Sequence, residues 1–347
     1  MFVHQTQLRH LLDPVHYFDA AFAETERRQI FDRSWQFLGH DDERHRAAFG
    51  DDDDPVSIQR VGDLWFFHQD APANSLRETL GTCFETIDDT MRRGRFRFRE
   101  RWEFAVPCNW KIPAENTLES YHVGEVHPHW MGGSLPAEKC SRHELVDGMS
   151  RLDYDESVPM LTDAARVCRW LGGNPTATYR HWFLHPNTTF LMTDLLCYVA
   201  SFVPTSPTTS VIRIVMMGYD GAVRGPLAKV LSHLAWRSAR RQAQRIFLED
   251  RKIFEGQQRG IQSSPHFGVL GAREERIHHF QRYVVNRTGI PMPKDPACAN
   301  RRDARGVRGA ESVRGAESVR GAESVRGAES ARGGDSAHSD DSTRVAG

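Results

Sequence analysis

No apolar run in the 347 residues approaches the ~20 that a membrane-spanning helix needs. Acidic and basic side chains almost cancel, for a formal net charge of -1, so there is no electrostatic reason to expect nucleic acid or an anionic membrane as partner. The N-terminus "MFVHQTQLRHLLDPVHYFDAAF" lacks a basic stretch followed by an apolar one, and no signal peptide is expected. The six cysteines stand singly and none forms a C-x-x-C pair. This fits reduced thiols in a cytoplasmic protein rather than a disulfide framework. What is present is a chain 39% hydrophobic with 8 Trp, enough for one large core or two modest ones.

From Arg308 onward "RGAESVRGAESVRGAESVRGAES" repeats every six residues, with no aromatics and only isolated valines. Such a segment buries too little surface to offset its ordering entropy, so residues 294–347 are expected to form a disordered tail. Upstream, "DAAFAETERRQIFDRSWQFLGH" has helical periodicity, with Phe22, Ile30, Phe31 and Trp35 near one face. An acidic turn containing Asp51 to Asp54 follows; it lacks the Gly and Glu spacing of a calcium loop. "VSIQRVGDLWFFHQ" reads as two strands around a Gly-Asp turn, and "RFRFRERWEFAVPCNW" as another strand. Ala177 to Tyr219 is rich in β-branched and aromatic residues, and a long helix is expected over roughly Pro226 to Gln258. Strands in series followed by a long helix predict an α+β fold, an antiparallel sheet packed against a long C-terminal helix, rather than a doubly wound one.

Within "NWKIPAENTLESYHVGEVHPHW", His122 and His127 are five positions apart. On one regular helix they would be rotated by roughly 140° and could not share a face. A helix ending near Gly124 would let the turn before Pro128 swing the second imidazole back. Glu119, three residues before His122, can accept an imidazole N–H. By itself this spacing suits solvated or capping histidines better than a metal site. In "AQRIFLEDRKIFEGQQRG", however, Asp250 falls on the apolar face made by Ile246, Phe247, Ile253 and Phe254, where an unpartnered carboxylate is costly. Glu249 points elsewhere and is expected to be solvated. Asp250 could pair with an arginine. Alternatively, two imidazoles and this carboxylate would make the facial triad of non-haem iron(II), although zinc accepts the same ligands.

These residues resemble the catalytic domain of the Rieske-type non-haem iron oxygenases, the aromatic-ring-hydroxylating dioxygenase α-subunits. The resemblance rests on Asn109-Trp110-Lys111, on "ENTLESYHVGEVHP", and on Glu249-Asp250 followed by Glu255, Gln258, Gly260 and Ser263. "EERIHHFQRYV" closes the domain, so the likeness spans roughly residues 14 to 290. It implies a helix-grip (START/Bet v 1-like) fold, with Fe(II) bound by His122, His127 and Asp250. Catalytic candidates are Glu119, at the position of the acid bridging to a Rieske cluster on a neighbouring subunit, and Asn116 and Tyr121, which would support the ligands. A glutamate at that bridge is similar to the branch acting on quaternary ammonium compounds. The reaction implied is hydroxylation of a small organic substrate with O₂.

One family feature is missing. A Rieske [2Fe–2S] module needs a C-x-H…C-x-x-H ligand set, and the sequence offers only "CSRH", Cys140 with His143, after the iron motif and without a partner. "SWQFLGH" runs almost directly into "GDDDDPVSIQRVGDLWFFHQD", as though the module had been excised. The organisation expected is therefore 1–75, an N-terminal helix and remnant of the Rieske region; 76–293, the catalytic domain; and 294–347, the tail. Three readings stand. The chain is an oxygenase subunit taking electrons from a Rieske or ferredoxin protein and its reductase on other chains, as a homotrimer or with an intact α-subunit. It is a non-catalytic homologue or partner subunit. Or the triad serves redox-neutral or zinc chemistry. Other candidates are His129 as a substitute ligand beside Trp130, His181 and His185 on one strand face, and Phe183, Phe190, Met192 and Phe202 as pocket walls. The basic run "RSARRQAQR" is a solvated helix face or a docking point for an acidic electron-transfer partner.

Overall fold

A computed structural model describes residues 8–41, 57–93, 96–120, 122–127, 141–155, 159–223, 225–266 and 268–292. All belong to one compact unit, Met1–Pro293; the expected tail, Tyr121, His129, Trp130, Cys140 and Asp51 to Asp54 lie outside the described residues. In chain order the elements are β1 (Leu8–Arg9), α1 (Ala20–Glu26), β2 (Gln36–His40), β3 (Ser57–Val61), β4 (Leu64–His68), α2 (Leu76–Leu80), α3 (Thr82–Arg93) and β5 (Phe96–Val106). Then come α4 (Lys111–Leu118), α5 (Val123–Val126), β6 (Ser141–Val146), β7 (Met149–Asp155), α6 (Pro159–Trp170), β8 (Thr178–Leu184) and β9 (Thr188–Met192). β10 (Leu196–Ser206), β11 (Thr209–Tyr219), α7 (Pro226–Ser263), β12 (Val269–Leu270) and α8 (Glu275–Thr288) complete the series.

Among the described residues β5 to β11 form a seven-stranded antiparallel sheet in the order β5-β11-β10-β9-β8-β7-β6. One face, with Phe183, Ala200, Phe202, Ile212, Ile214 and Met216, is buried with side chains of α4, α7 and α8. The opposite face, with Trp182, Phe190, Met192, Val199, Val215 and Met217, is covered by a three-stranded sheet (β2-β4-β3) and by α2 and α3. Burial of both faces explains why the central strands read as continuous apolar runs rather than alternating ones. The fold is α+β and helix-grip, as the sequence predicts.

Two expectations need correction. The helical pattern through Trp35 stops early: α1 continues into one π-helical turn, Arg27–Phe31, and the chain then enters β2. Pairing of Gln36 and Phe37 with β4 overrides the local pattern, and it sends Trp35 into a different core from Phe22 and Ile30. Phe183, Phe190 and Met192 are core side chains and not cavity walls; only Phe202 of that group reaches the cavity.

The Asn109-Trp110-Lys111 motif is a polar staple. Lys111, fully buried, donates from Nζ to Glu26 Oε1 at 2.7 Å, while Trp110 Nε1 donates to Glu26 Oε2 at 3.1 Å. Asn109 N donates to Gln258 Oε1 on α7, and Asn109 Nδ2 to the Pro207 carbonyl between β10 and β11. Glu115 accepts from Tyr17 and from Gln281 on α8. These bonds fix α4, whose next residues begin the site, to α1, α7, α8, Tyr17 and the turn between β10 and β11.

Candidate metal centre

α4 ends at Leu118, six residues earlier than the spacing suggests, and Glu119 adopts extended backbone as its C-cap. His122 caps the N-terminus of the four-residue α5 and His127 caps its C-terminus, immediately before Pro128. Gly124 therefore lies inside α5, and the helix break between the two segments begins at Glu119. Proline restricts the residue before it, which stops α5 where His127 is needed. The rings stand 5.4 Å apart at 76°.

Asp250 approaches from α7. Its Oδ1 lies 3.7 Å from His122 Nε2 and 3.0 Å from His127 Nε2, and one ligand atom of each residue lies within 4.8 Å of the others. His127 Nε2 and Asp250 Oδ1 are buried and have no hydrogen-bond partner of acceptable geometry. Two buried polar atoms 3.0 Å apart and without a hydrogen bond fit a bound cation, which would satisfy both.

The other ring nitrogens are held by carboxylates. His122 Nδ1 contacts Glu119 Oε1 closely, and its backbone N–H donates to Glu119 Oε2 at 3.2 Å. His127 Nδ1 donates to Glu249 Oε2 at 2.8 Å. Both contacts place a proton on Nδ1 and leave Nε2 free to bind a metal. Burial opposes protonation of His127, but the Asp250 and Glu249 carboxylates outweigh it and raise the pKa. Glu249 was expected to be solvated. It instead orients a candidate ligand, because α7 passes so close to α5 that adjacent positions on the helix reach either side of one imidazole.

The three candidate ligands border a cavity of about 530 Å³. Ile246, Phe247 and Phe254 of α7, Leu152, Leu161, Tyr179, Tyr198 and Phe202 form much of its wall, with Asn116, Glu119 and Thr117 from α4 and the residue after it. None of its lining residues is Lys or Arg among the described residues. His181 faces the cavity, whereas His185 is buried beside Phe183, His279, Phe280 and Tyr283. Arg276 Nη1 donates to His181 Nδ1 at 3.0 Å, so the proton is on Nε2, which meets Thr117 Oγ1 at 3.0 Å and Thr189 Oγ1 at 2.9 Å. Burial, then the Arg276 charge, holds His181 neutral with its pKa well below the ordinary range. Sequence reasoning missed Arg276; the signal available was a cation placed among the apolar Ile277, Phe280 and Val284 of α8. His143, half of the "CSRH" coincidence, donates to Glu275 at 2.6 Å.

A sheet gripping a long helix, with two imidazoles and a carboxylate beside an apolar cavity, is an arrangement that could hold a metal ion in a two-histidine, one-carboxylate site. Residues 93–289 match the family model "Ring hydroxylating alpha subunit (catalytic domain)", and the chain belongs to that family. It is thus among the oxidoreductases that incorporate molecular oxygen, a family of non-haem iron enzymes. Similar solved structures include the quaternary ammonium Rieske monooxygenase CntA in complex with an inhibitor (14% identity, TM-score 0.61, covering 80% of this chain and 95% of that one). CntA in complex with L-carnitine aligns at 15% identity and TM-score 0.58, over 80% and 96% of the two chains. Naphthalene 1,2-dioxygenase from Rhodococcus sp. bound to indole aligns at 13% identity and TM-score 0.53, over 80% and 94%. At these identities the likeness is one of fold. No curated protein matches the sequence.

Proposed function

We propose that this chain is the catalytic subunit of a mononuclear non-haem iron(II) oxygenase that hydroxylates a small organic substrate, with electrons delivered by a separate Rieske or ferredoxin protein. The observation that carries this reading is the pair of orphaned, buried atoms, His127 Nε2 and Asp250 Oδ1, facing His122 Nε2 at the edge of a substrate-sized cavity. His122, His127 and Asp250 would hold the iron, which when bound activates O₂ with electrons from outside the chain. Glu119 and Glu249 keep both imidazoles in the tautomer that presents Nε2. The apolar walls exclude water and orient the substrate, and the absence of Lys and Arg from the lining among the described residues favours a neutral or cationic substrate over an anionic one. The proposal that the donor lies on another chain is supported by the lack of a C-x-H…C-x-x-H set in these 347 residues.

The test is anaerobic reconstitution with Fe(II) followed by metal analysis and absorbance. About one iron per chain and no [2Fe–2S] absorbance are expected, and His122→Ala, His127→Ala and Asp250→Ala should each abolish iron retention. Wild-type protein that takes up no iron overturns the assignment, and preferential retention of zinc would move the site to redox-neutral chemistry.

A further inference from the structure

The two carboxylates that hold the ligand imidazoles differ in their access to solvent. Glu119, the acid expected to receive electrons, lies on the internal cavity with its side chain 8% exposed. Glu249 is 25% exposed and forms part of a surface groove with Arg245, Leu248, Arg251 and Lys252. From that groove the path to the site is short: Glu249 Oε2 accepts from His127 Nδ1 at 2.8 Å, and the far side of the same imidazole faces Asp250.

The exposed helix face around the groove carries mostly basic side chains. Arg237, Arg241, Arg245 and Lys252 recur at spacings of three to four residues or their sum, so they share one exposed face of α7, with the exposed Leu248 among them. Arg251 flanks the groove, its guanidinium over the Phe104 ring. The acid farther along this face, Glu255, is countered by Arg259 at 4.0 Å. In a chain of net charge -1 this concentration is local. A basic rim around a small apolar centre matches transient docking of an acidic partner, where charge sets encounter and the contact stays small.

We propose that an acidic iron–sulfur protein docks on this face of α7 around Leu248, and that its electron enters through Glu249 and His127 rather than through Glu119. The inference rests on the oxygenase reading above. In each transfer the donor's reduced cluster loses one electron and the ion held by His122, His127 and Asp250 gains it. No bond in the protein is made or broken.

The docking arm uses the full chain without metal, with a plant-type [2Fe–2S] ferredoxin as acidic probe and cytochrome c as basic control, measured by calorimetry at low and moderate salt. The ferredoxin should bind and weaken as salt rises; cytochrome c should not bind. Arg241→Glu with Lys252→Glu should weaken ferredoxin binding at least about tenfold and flatten its salt dependence. No ferredoxin binding at low salt, or unchanged affinity in the double variant, overturns the docking site. So does retention on anionic vesicles without ferredoxin binding, which would assign the face to lipid.

The transfer arm uses protein loaded at iron concentrations that saturate each variant and follows loss of the ferric signal in stopped flow. Glu249→Ala, which breaks the path, should slow reduction by ferredoxin about tenfold or more. Glu249→Gln, which keeps an acceptor for His127, should restore most of the rate, and reduction by dithionite should be alike in all. A wild-type rate in Glu249→Ala, or equal slowing with dithionite, overturns the route. Failure to bind iron at all would instead overturn the oxygenase reading, and single-turnover product from chemically reduced protein would uphold that reading even if the docking arm failed.

Discussion

Glu249 and Asp250 are neighbours on α7 with different tasks. Successive helix residues are rotated by roughly 100°, so Asp250 faces the cavity while Glu249 reaches the outer edge of His127. Removing such an outer partner loosens the metal without deleting a ligand. Glu119→Ala and Glu249→Ala should therefore each weaken iron affinity about 10- to 100-fold, measurable by competition with a chelator; unchanged affinity would mean the imidazoles are oriented by packing alone. A different residue-scale prediction concerns Lys111 and Glu26, an ion pair excluded from solvent at the base of α4. Burial pushes the Glu26 carboxyl up and the Lys111 ammonium down, each only partly offset by the other's charge. Lys111→Met leaves a buried carboxylate unpaired and should cost about 3–5 kcal/mol in denaturant unfolding, with the double change Lys111→Met, Glu26→Leu costing less than the single one. Equal losses in both would show that the charges do not depend on each other.

At the scale of elements, the β3–β4 hairpin was legible in "RVGDL", and it carries a tight constraint. Gly62 has φ of +56°, and a Cβ there would lie 2.5 Å from Cβ of Met91 on α3. Gly62→Ala should thus be destabilising by about 2 kcal/mol or more, from backbone strain and overpacking together, as read by the shift of the unfolding midpoint; a loss below about 0.5 kcal/mol would mean that α3 moves aside freely. The long helix was legible from its start at Pro226. Less legible was α4–α5, since "ENTLESYHVGEVHP" reads locally as one helix interrupted at Gly124. The actual break at Glu119 is imposed by what surrounds it: α4 is tied to α1, α7 and α8, and His127 must meet both Glu249 and Asp250.

For the whole molecule, the buried neutral histidines tie stability to pH. Burial holds His185 well below 6.5, with the His279, Arg276 and Arg287 charges acting in the same direction, and its ring nitrogens have no partner among the described residues. The unfolded chain binds a proton at this residue as pH falls through about 6.5 while the folded chain does not. Stability from this site is therefore fully present above pH 6.5 and is lost on acidification, by about 1.4 kcal/mol per pH unit. The difference between wild type and His185→Leu should isolate that slope from the opposing contribution of His127. Parallel stability-against-pH curves for the two proteins would contradict it. No helix of the described residues is long and apolar enough to cross a membrane, in agreement with the composition.

The sequence alone determined the α+β class, most central strands, the long helix and the identity of the candidate triad, because these rest on local periodicity and on residues confined to short motifs. The tertiary structure alone decided that Glu249 is the orienting partner of His127 at a basic surface, since that role depends on which helix passes which imidazole and on which side faces water. It is a relation between residues 122 positions apart, and no local pattern in either segment encodes it.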